Sequence, residues 1–373
     1  MIRRAFFESW RGRYADSPRA ISELLAERHP DVRQYWVAAP GTPLPAGVVG
    51  VRRHSPEYFA RLLTADLVVA NDIISQHRIK GPRATYLQTW HGTALKTIGH
   101  DEAFATYSGA AAHRARMVRD VAKWDLLLSP APEATRVFRG AFGFDGTVLE
   151  TGYPRNDVLL SDRAPEVRAR VRAELGIADG RRAVLYAPTW RDDSKDADGR
   201  FVDPGALDLA RLRARLGDDV VVLLRLHTHV APDERRVLPG FVVDVSRYPE
   251  IADLYLASDV LVSDYSSAIF DYVVTGKPVV LFAYDLDAYR DAVRGMYYDY
   301  DEWAPGPVTR TTDELADVLA VIDDVHARAL PRYAAFVERF APHEDGRATQ
   351  RVLDALTERG LLSASSVRDR SAG

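Results

Sequence analysis

Short apolar runs rich in valine and leucine recur along this chain, each followed by a stretch with helical period, and that alternation limits the fold more than any other feature. In the first half the runs are 35–39, 48–51, 65–70, 85–89, 125–129 and 147–151. In the second half they are 183–187, 220–226, 241–245, 259–263 and 278–282. They lack the apolar–polar alternation of a half-exposed strand, which is the pattern of strands buried on both faces of a parallel sheet. Helical period fills the gaps at 21–28, 56–63, 132–141, 165–175, 207–216 and 251–257. The alternation predicts an α/β fold of doubly wound parallel sheets.

A chain of 373 residues exceeds a single compact core, so two domains of ordinary size are expected. The boundary is read in the charged stretch after Pro154, where Ser161-Asp162-Arg163-Ala164-Pro165 opens a helix. This gives domains at 1–160 and 161–330, followed by carboxy-terminal helices and a frayed tail at 331–373. From Asp313 to Leu361 the pattern is helical, with breaks expected near Pro331 and Pro342.

Composition removes several function classes. There is no cysteine, which excludes disulfides, thiolate metal sites and a cysteine nucleophile together. A formal charge of −4 argues against a nucleic-acid partner, while 49 Lys and Arg still permit local phosphate-binding surfaces. No stretch approaches the roughly 20 apolar residues of a membrane span, and charged residues follow Phe7 too soon for a signal peptide. Dinucleotide, P-loop and nucleophile-elbow glycine patterns are missing too.

In open α/β sheets ligands sit beyond the carboxyl ends of the strands. The first such end is Gln88-Thr89-Trp90-His91-Gly92-Thr93-Ala94-Leu95-Lys96, where His91 is a candidate general base and Gly92 lets a substrate approach the backbone. A structural turn with a packed Trp and a surface His is the competing reading. The second is Ala187-Pro188-Thr189-Trp190-Arg191, with Arg191 as a fork for phosphate oxygens or simply an exposed Arg at a loop start. At the third, Arg225 and His227 alternate onto one side of the strand end, a cation and an imidazole suited to a leaving phosphate. His227-Thr228-His229 also has a metal-ligand spacing, but no carboxylate cluster accompanies it, so no metal site is assigned. The fourth end is Ser263-Asp264-Tyr265-Ser266-Ser267, leading into a helix that carries Asp271. Ser266, Ser267 and the helix start can bind a pyrophosphate, cap the helix, or do both.

In order along the chain, these segments resemble the CDP-glycerol glycerophosphotransferase family, the teichoic-acid primases and polymerases. The resemblance runs from Glu8-Ser9-Trp10-Arg11-Gly12-Arg13-Tyr14-Ala15-Asp16-Ser17-Pro18-Arg19-Ala20 through Trp90-His91-Gly92-Thr93 and Gly152-Tyr153-Pro154-Arg155-Asn156-Asp157. It continues through the three second-half strand ends, Tyr284-Asp285-Leu286-Asp287-Ala288-Tyr289, Arg294-Gly295-Met296-Tyr297, Pro305-Gly306-Pro307-Val308 and Asp345-Gly346. Thr228 and Ala94 depart from it, each standing where the family commonly has Pro.

The resemblance implies a GT-B-like arrangement of two Rossmann-like domains with an interdomain cleft. It also implies transfer of glycerol phosphate from CDP-glycerol to a lipid-linked polyol-phosphate acceptor, with release of CMP. His91 would take the acceptor proton from the first domain, with Gly92, Thr93 and Lys96 on the acceptor side. Arg191, Arg225 and His227 would neutralise the pyrophosphate and leaving CMP. Thr189, Ser266 and Ser267 would hold phosphate oxygens, and Asp264 and Asp271 would orient hydroxyls or the Ser loop. Such a basic site could work with no cofactor, and a divalent metal is left open. A cytoplasmic location, peripheral on the inner face of the membrane, follows from the lipid-linked acceptor. The segment 102–123 with Arg114, Arg116, Arg119 and Lys123 is a candidate contact or a solvated face, and a homo-oligomer is left open. A nucleotide-sugar glycosyltransferase or epimerase, a CDP-ribitol transferase and an inactive envelope-binding protein are the competing functions.

Overall fold

The structure, a computed structural model, describes residues 1–74, 80–102, 110–191, 194, 196, 198–227, 230, 233, 236–288 and 295–363. Two compact units make up the chain. One comprises Met1–His91, Gly109–Asp157 and Pro342–Gly373; the other comprises Gly92–Ser108 and Val158–Ala341.

The first unit holds β1 (Arg4–Glu8), β2 (Arg33–Val37), β3 (Val48–Val51), β4 (Leu67–Ala70), β5 (Thr85–Gln88), β6 (Leu126–Ser129) and β7 (Thr147–Glu150). They form one parallel sheet in the order β3-β2-β1-β4-β5-β6-β7. The second unit holds β8 (Arg182–Ala187), β9 (Val220–Leu224), β10 (Val242–Asp244), β11 (Val260–Ser263), β12 (Val279–Phe282) and β13 (Val308–Thr309). Its sheet is also parallel, in the order β10-β9-β8-β11-β12-β13. Each sheet starts at an inner strand and reverses direction there, the Rossmann-like pattern that the resemblance implies. The reversal opens a crevice at the carboxyl ends of β1 and β4 in one unit, and of β8 and β11 in the other.

Two strands lay outside the eleven apolar runs. β1 is an inner strand of its sheet, with Phe6 paired to Tyr35 on one side and Val68 on the other. It begins on Arg4 and ends on Glu8, so only three apolar residues mark it. Glu8 is nevertheless buried, because the Arg53 Nε (2.6 Å) and the Tyr58 hydroxyl (2.8 Å) each donate to one of its oxygens. β13 has two residues, Val308 and Thr309. It is led in by Gly306, where a Cβ would lie 1.9 Å from the Val279 carbonyl oxygen of β12. Only glycine permits that approach.

Phe7 and Trp36 stack 5.2 Å apart in the core of the first unit. The carboxy-terminal helix Ala348–Glu358 covers that core with Val352, Leu353 and Leu356, together worth on the order of 5 kcal/mol of burial. Its first turn is fixed by Asp157, which accepts from the amides of Ala348 (2.8 Å) and Thr349 (2.7 Å). In the second unit β9, β10 and the helix Thr312–Ala320 enclose a core in which Val222 clusters with Phe241, Leu315 and Leu319.

The expected break near Pro331 is absent. Helix Ile322–Phe340 runs through Pro331; the chain turns at Val321 and, as expected near Pro342, beyond Phe340. Pro331 and Ala327 both face solvent, so the carbonyl that loses its amide partner is hydrated and the usual penalty is eased. The helix read at 102–123 is observed at Ala110–Val121; residues 103–109 lie outside the described residues. Among the described residues no helix is long and apolar enough to cross a membrane.

Candidate active site

In the first unit, β5 delivers His91 through a strained turn. Trp90 is left-handed (φ 52°), which costs an aromatic residue roughly 1–2 kcal/mol. Its amide donates to the Gln88 side-chain oxygen (2.9 Å), and its indole packs edge-on against Phe142 at 4.6 Å, both of which offset that cost. The turn brings the His91 Nδ1 to 2.6 Å from the main-chain oxygen of Asn71, the residue after β4. A carbonyl oxygen only accepts, so Nδ1 carries the proton and Nε2 of the neutral ring is the basic nitrogen. The ring stacks on Trp90 (4.1 Å) and touches Trp10 (4.9 Å).

Asn71 also spans the crevice of this sheet. Its side-chain oxygen accepts from the amide of Trp10, two residues beyond β1, at 3.1 Å. Trp10 and Arg11 are left-handed (φ 45° and 59°), and Asp16 ends the same loop at φ 65°. Gly12 cannot be replaced without cost there, since a Cβ would lie 2.7 Å from the Ala39 amide nitrogen.

The second unit repeats the bridge. Beyond β8, the Thr189 amide donates to Asp264 Oδ1 (2.8 Å), and Asp264 is the residue after β11. Asp264 Oδ1 also accepts from the Tyr265 amide (2.6 Å), while Oδ2 pairs with Arg191 Nη2 at 2.9 Å. Arg191 is only 5% exposed and is held again by both oxygens of Asp285 (2.7 and 2.9 Å). Burial works against its charge, but Asp264 and Asp285 more than offset this and keep the guanidinium cationic. Tyr265 and Tyr284 cover its faces at 5.1 and 5.2 Å. Arg191 is therefore a buried hub tying the ends of β8, β11 and β12 together, rather than the exposed loop Arg of the competing reading.

The other residues expected on the donor side follow the ends of β8, β9 and β11 in the same sheet. Arg225 is half-buried and anchors the loop after β10, with Nη1 donating to the carbonyls of Val245 (3.0 Å) and Tyr248 (2.9 Å). His227 is exposed and stacks on Trp190 at 5.7 Å; Thr228 and His229 lie outside the described residues. Ser266 and Ser267 are half-buried. The Ser266 hydroxyl accepts from the Ala268 amide (3.2 Å), and Ser267 stands at the helix cap position without a side-chain cap bond. The helix itself, Ala268–Tyr272, is only five residues long, so any phosphate held here depends on the loop's amides and hydroxyls more than on a helix dipole. Asp271 is buried within that helix. Thr189 carries a buried hydroxyl oxygen with no hydrogen-bond partner among the described residues.

Gly92, Thr93 and Lys96 fall in the second unit, which takes up the chain one residue past His91. Gly92 has φ 151°, and Thr93 is buried with its hydroxyl unpartnered among the described residues. Lys96 forms an antiparallel bridge with Met296, flanked by Thr97 N to Gly295 O (2.8 Å) and Tyr297 N to Leu95 O (2.9 Å). Two motifs some 200 positions apart thus make one small ribbon, with Gly295 packed against Thr97. Arg294 lies outside the described residues. Among the described residues there is no group of three or more His, Asp or Glu arranged to hold a metal ion.

Sequence reasoning singled out His91 but missed Asn71 and gave Asp285 no role. Both are polar residues one to three positions past a buried run, the same signal that drew attention to His91 and Asp264.

Residues 3–358 match the family described as CDP-glycerol:poly(glycerophosphate) glycerophosphotransferase. The chain is 35% identical over 357 residues to the teichoic acid poly(glycerol phosphate) polymerase of Bacillus subtilis (strain 168), covering 94% of this chain and 48% of that protein. It is 38% identical over 361 residues to the teichoic acid glycerol-phosphate transferase of Staphylococcus aureus (strain NCTC 8325 / PS 47), covering 94% and 92%. The chain thus spans about half the length of the first of these and nearly all of the second. The solved structure of the wall teichoic acid polymerase TagF superposes with a TM-score of 0.89 at 36% identity, covering 96% of this chain and 89% of that one.

Proposed function

The chain belongs to the CDP-glycerol:poly(glycerophosphate) glycerophosphotransferase family, and from that membership we propose that it transfers glycerol phosphate from CDP-glycerol to a hydroxyl of a lipid-linked or polymeric, teichoic-acid-type acceptor. The first unit and the residues that directly follow His91 then serve the acceptor, and the strand ends of the second unit serve the CDP donor. In the reaction the acceptor oxygen forms a bond to the phosphorus that carries glycerol, the bond from that phosphorus to CMP breaks, and the acceptor proton passes to His91 Nε2. CMP leaves with the electron pair of the broken bond. Positioning and charge neutralisation carry such a phosphoryl transfer, and little covalent chemistry is asked of the protein.

The observation that carries this reading is the 2.6 Å contact between His91 Nδ1 and the Asn71 oxygen, which leaves Nε2 as a base beyond a strand's carboxyl end. On the donor side, His227, Arg225, Thr189, Ser266 and Ser267 meet the pyrophosphate. Arg191 and Asp264 act through the loops they fix, and Asp271 supports the Ser loop from within the short helix. Gly92, Thr93 and Lys96 continue the acceptor side of the His91 motif. With a lipid-linked acceptor, the protein works as a peripheral protein on the cytoplasmic face of the membrane.

The test is a donor panel of CDP-glycerol, CDP-ribitol and UDP- and GDP-sugars, with release of CMP, UDP or GDP measured for each. CMP release from CDP-glycerol is the expected result. UDP or GDP release alone would sink the reading, and faster CMP release from CDP-ribitol would move the substrate to that alditol.

A further inference from the structure

None of the roles above uses the amino-terminal motif 8–20 or the motif 152–157, yet in the first unit both converge on His91. Trp10 remains 40% exposed although it is a large aromatic on a left-handed residue, so core burial alone does not account for it. Its indole lies against the His91 ring at 4.9 Å, while Trp90 stacks at 4.1 Å. Trp10 is fixed at two points. Its amide donates to Asn71 Oδ1 (3.1 Å), and its indole Nε1–H donates to Asp16 Oδ2 (3.0 Å). The other oxygen of Asp16 accepts from the Ser17 amide (2.6 Å) and from Arg155 Nη1 (3.2 Å). Arg155 is itself buried, with its guanidinium over the Tyr153 ring at 4.4 Å.

We infer that Trp10 is a positioning residue for the His91 imidazole, and that Asp16, held by Arg155, orients Trp10 for that task. Asn71 alone, a single contact to Nδ1, leaves the ring able to swing about its side-chain bonds. Contacts from two indoles restrict that swing and keep Nε2 aimed in one direction. Each Asp16 oxygen has a separate duty, one toward Trp10 and one toward Arg155 and Ser17, so a neutral amide at this position cannot serve both sides. The inference rests on the reading of His91 as the base.

The experiment compares wild type with Trp10→Phe, which keeps an aromatic ring and removes the Nε1–H, and with Asp16→Asn. Steady-state CMP release gives kcat and the donor KM, thermal melting reports folding, and nitrogen-15 NMR of labelled histidine reports the His91 tautomer. The expected result for Trp10→Phe is an unchanged melting temperature, a donor KM within about 2-fold, kcat lowered about 10- to 100-fold and a mixture of His91 tautomers. Asp16→Asn is expected to follow the same split even if its melting temperature falls. A Trp10→Phe protein with His91 still in one tautomer overturns the inference, whatever its kcat. Tautomer mixing with undiminished kcat supports the positioning role and instead removes His91 from the chemistry, so the two failures are told apart.

Discussion

His91 and Asn71 meet through one short contact, ring Nδ1 to main-chain oxygen at 2.6 Å, and it joins the carboxyl ends of β5 and β4. Because the acceptor is backbone, no substitution of the Asn71 side chain removes it directly, and it sets the His91 tautomer for as long as the ring is held against it. Replacing the imidazole is the direct probe. His91→Ala is expected to lower kcat for CMP release by about 10²- to 10⁴-fold, the range for a lost general base, with donor KM and melting temperature near wild type. Turnover equal to wild type would remove His91 from the mechanism.

Arg191 separates stability from donor binding. Its guanidinium is matched by Asp264 and Asp285, so Arg191→Ala leaves an unpaired buried carboxylate at Asp264. Urea unfolding is expected to show a loss of about 3 kcal/mol, the lower end for breaking a buried pair, because Asp285 is partly exposed. Unchanged stability with a raised donor KM would mean that the guanidinium serves the donor phosphates instead.

Gly306 tests the edge of the second sheet. A Cβ there meets the Val279 oxygen at 1.9 Å, so Gly306→Ala must push β13 away from β12. The expected cost is at least about 2 kcal/mol in urea unfolding, in the range of overpacked interiors. A variant as stable as wild type would contradict this close approach.

Glu8 gives a pH signature. Burial pushes its carboxyl above the ordinary glutamate range, and Arg53 and the Tyr58 hydroxyl pull it only part of the way back. Between the unperturbed value of 4.5 and the raised value, the folded chain holds more protons than the unfolded one, so this group favours folding more as pH falls. Its contribution is complete below the unfolded value and is lost as pH rises through the folded value. Glu8→Gln cannot titrate. The stability of wild type minus that of the variant is therefore expected to grow as pH is lowered from about 7 to about 5. A difference that shrinks over that range contradicts the raised carboxyl.

Much of the fold was legible because parallel strands buried on both faces leave unbroken apolar runs, as at 67–70 and 260–263. β1 was not, since its ends are Arg4 and Glu8 and the burial of Glu8 depends on Arg53 and Tyr58, 45 and 50 positions away. β13 is too short to leave a pattern, and Pro331 misled because a proline on a solvent face need not break a helix. The strand-end rule drew attention to His91, Thr189 and Asp264. It could not say that Arg191 would be enclosed by two carboxylates, because Asp285 lies 94 positions further on. Nor does any local pattern in residues 342–373 reveal that their helix covers the first sheet; Asp157 and Arg351 supply that link through long-range bonds.

The most direct measurement of the central claim is mass spectrometry of the acceptor alongside quantitation of the released nucleotide. The protein is incubated with CDP-glycerol and a short lipid-phosphate acceptor ending in a polyol hydroxyl. The account predicts an acceptor heavier by whole glycerol phosphate units, with one CMP released for each. Release of CDP with transfer of glycerol alone, or an unchanged acceptor beside UDP or GDP from a nucleotide sugar, would contradict it.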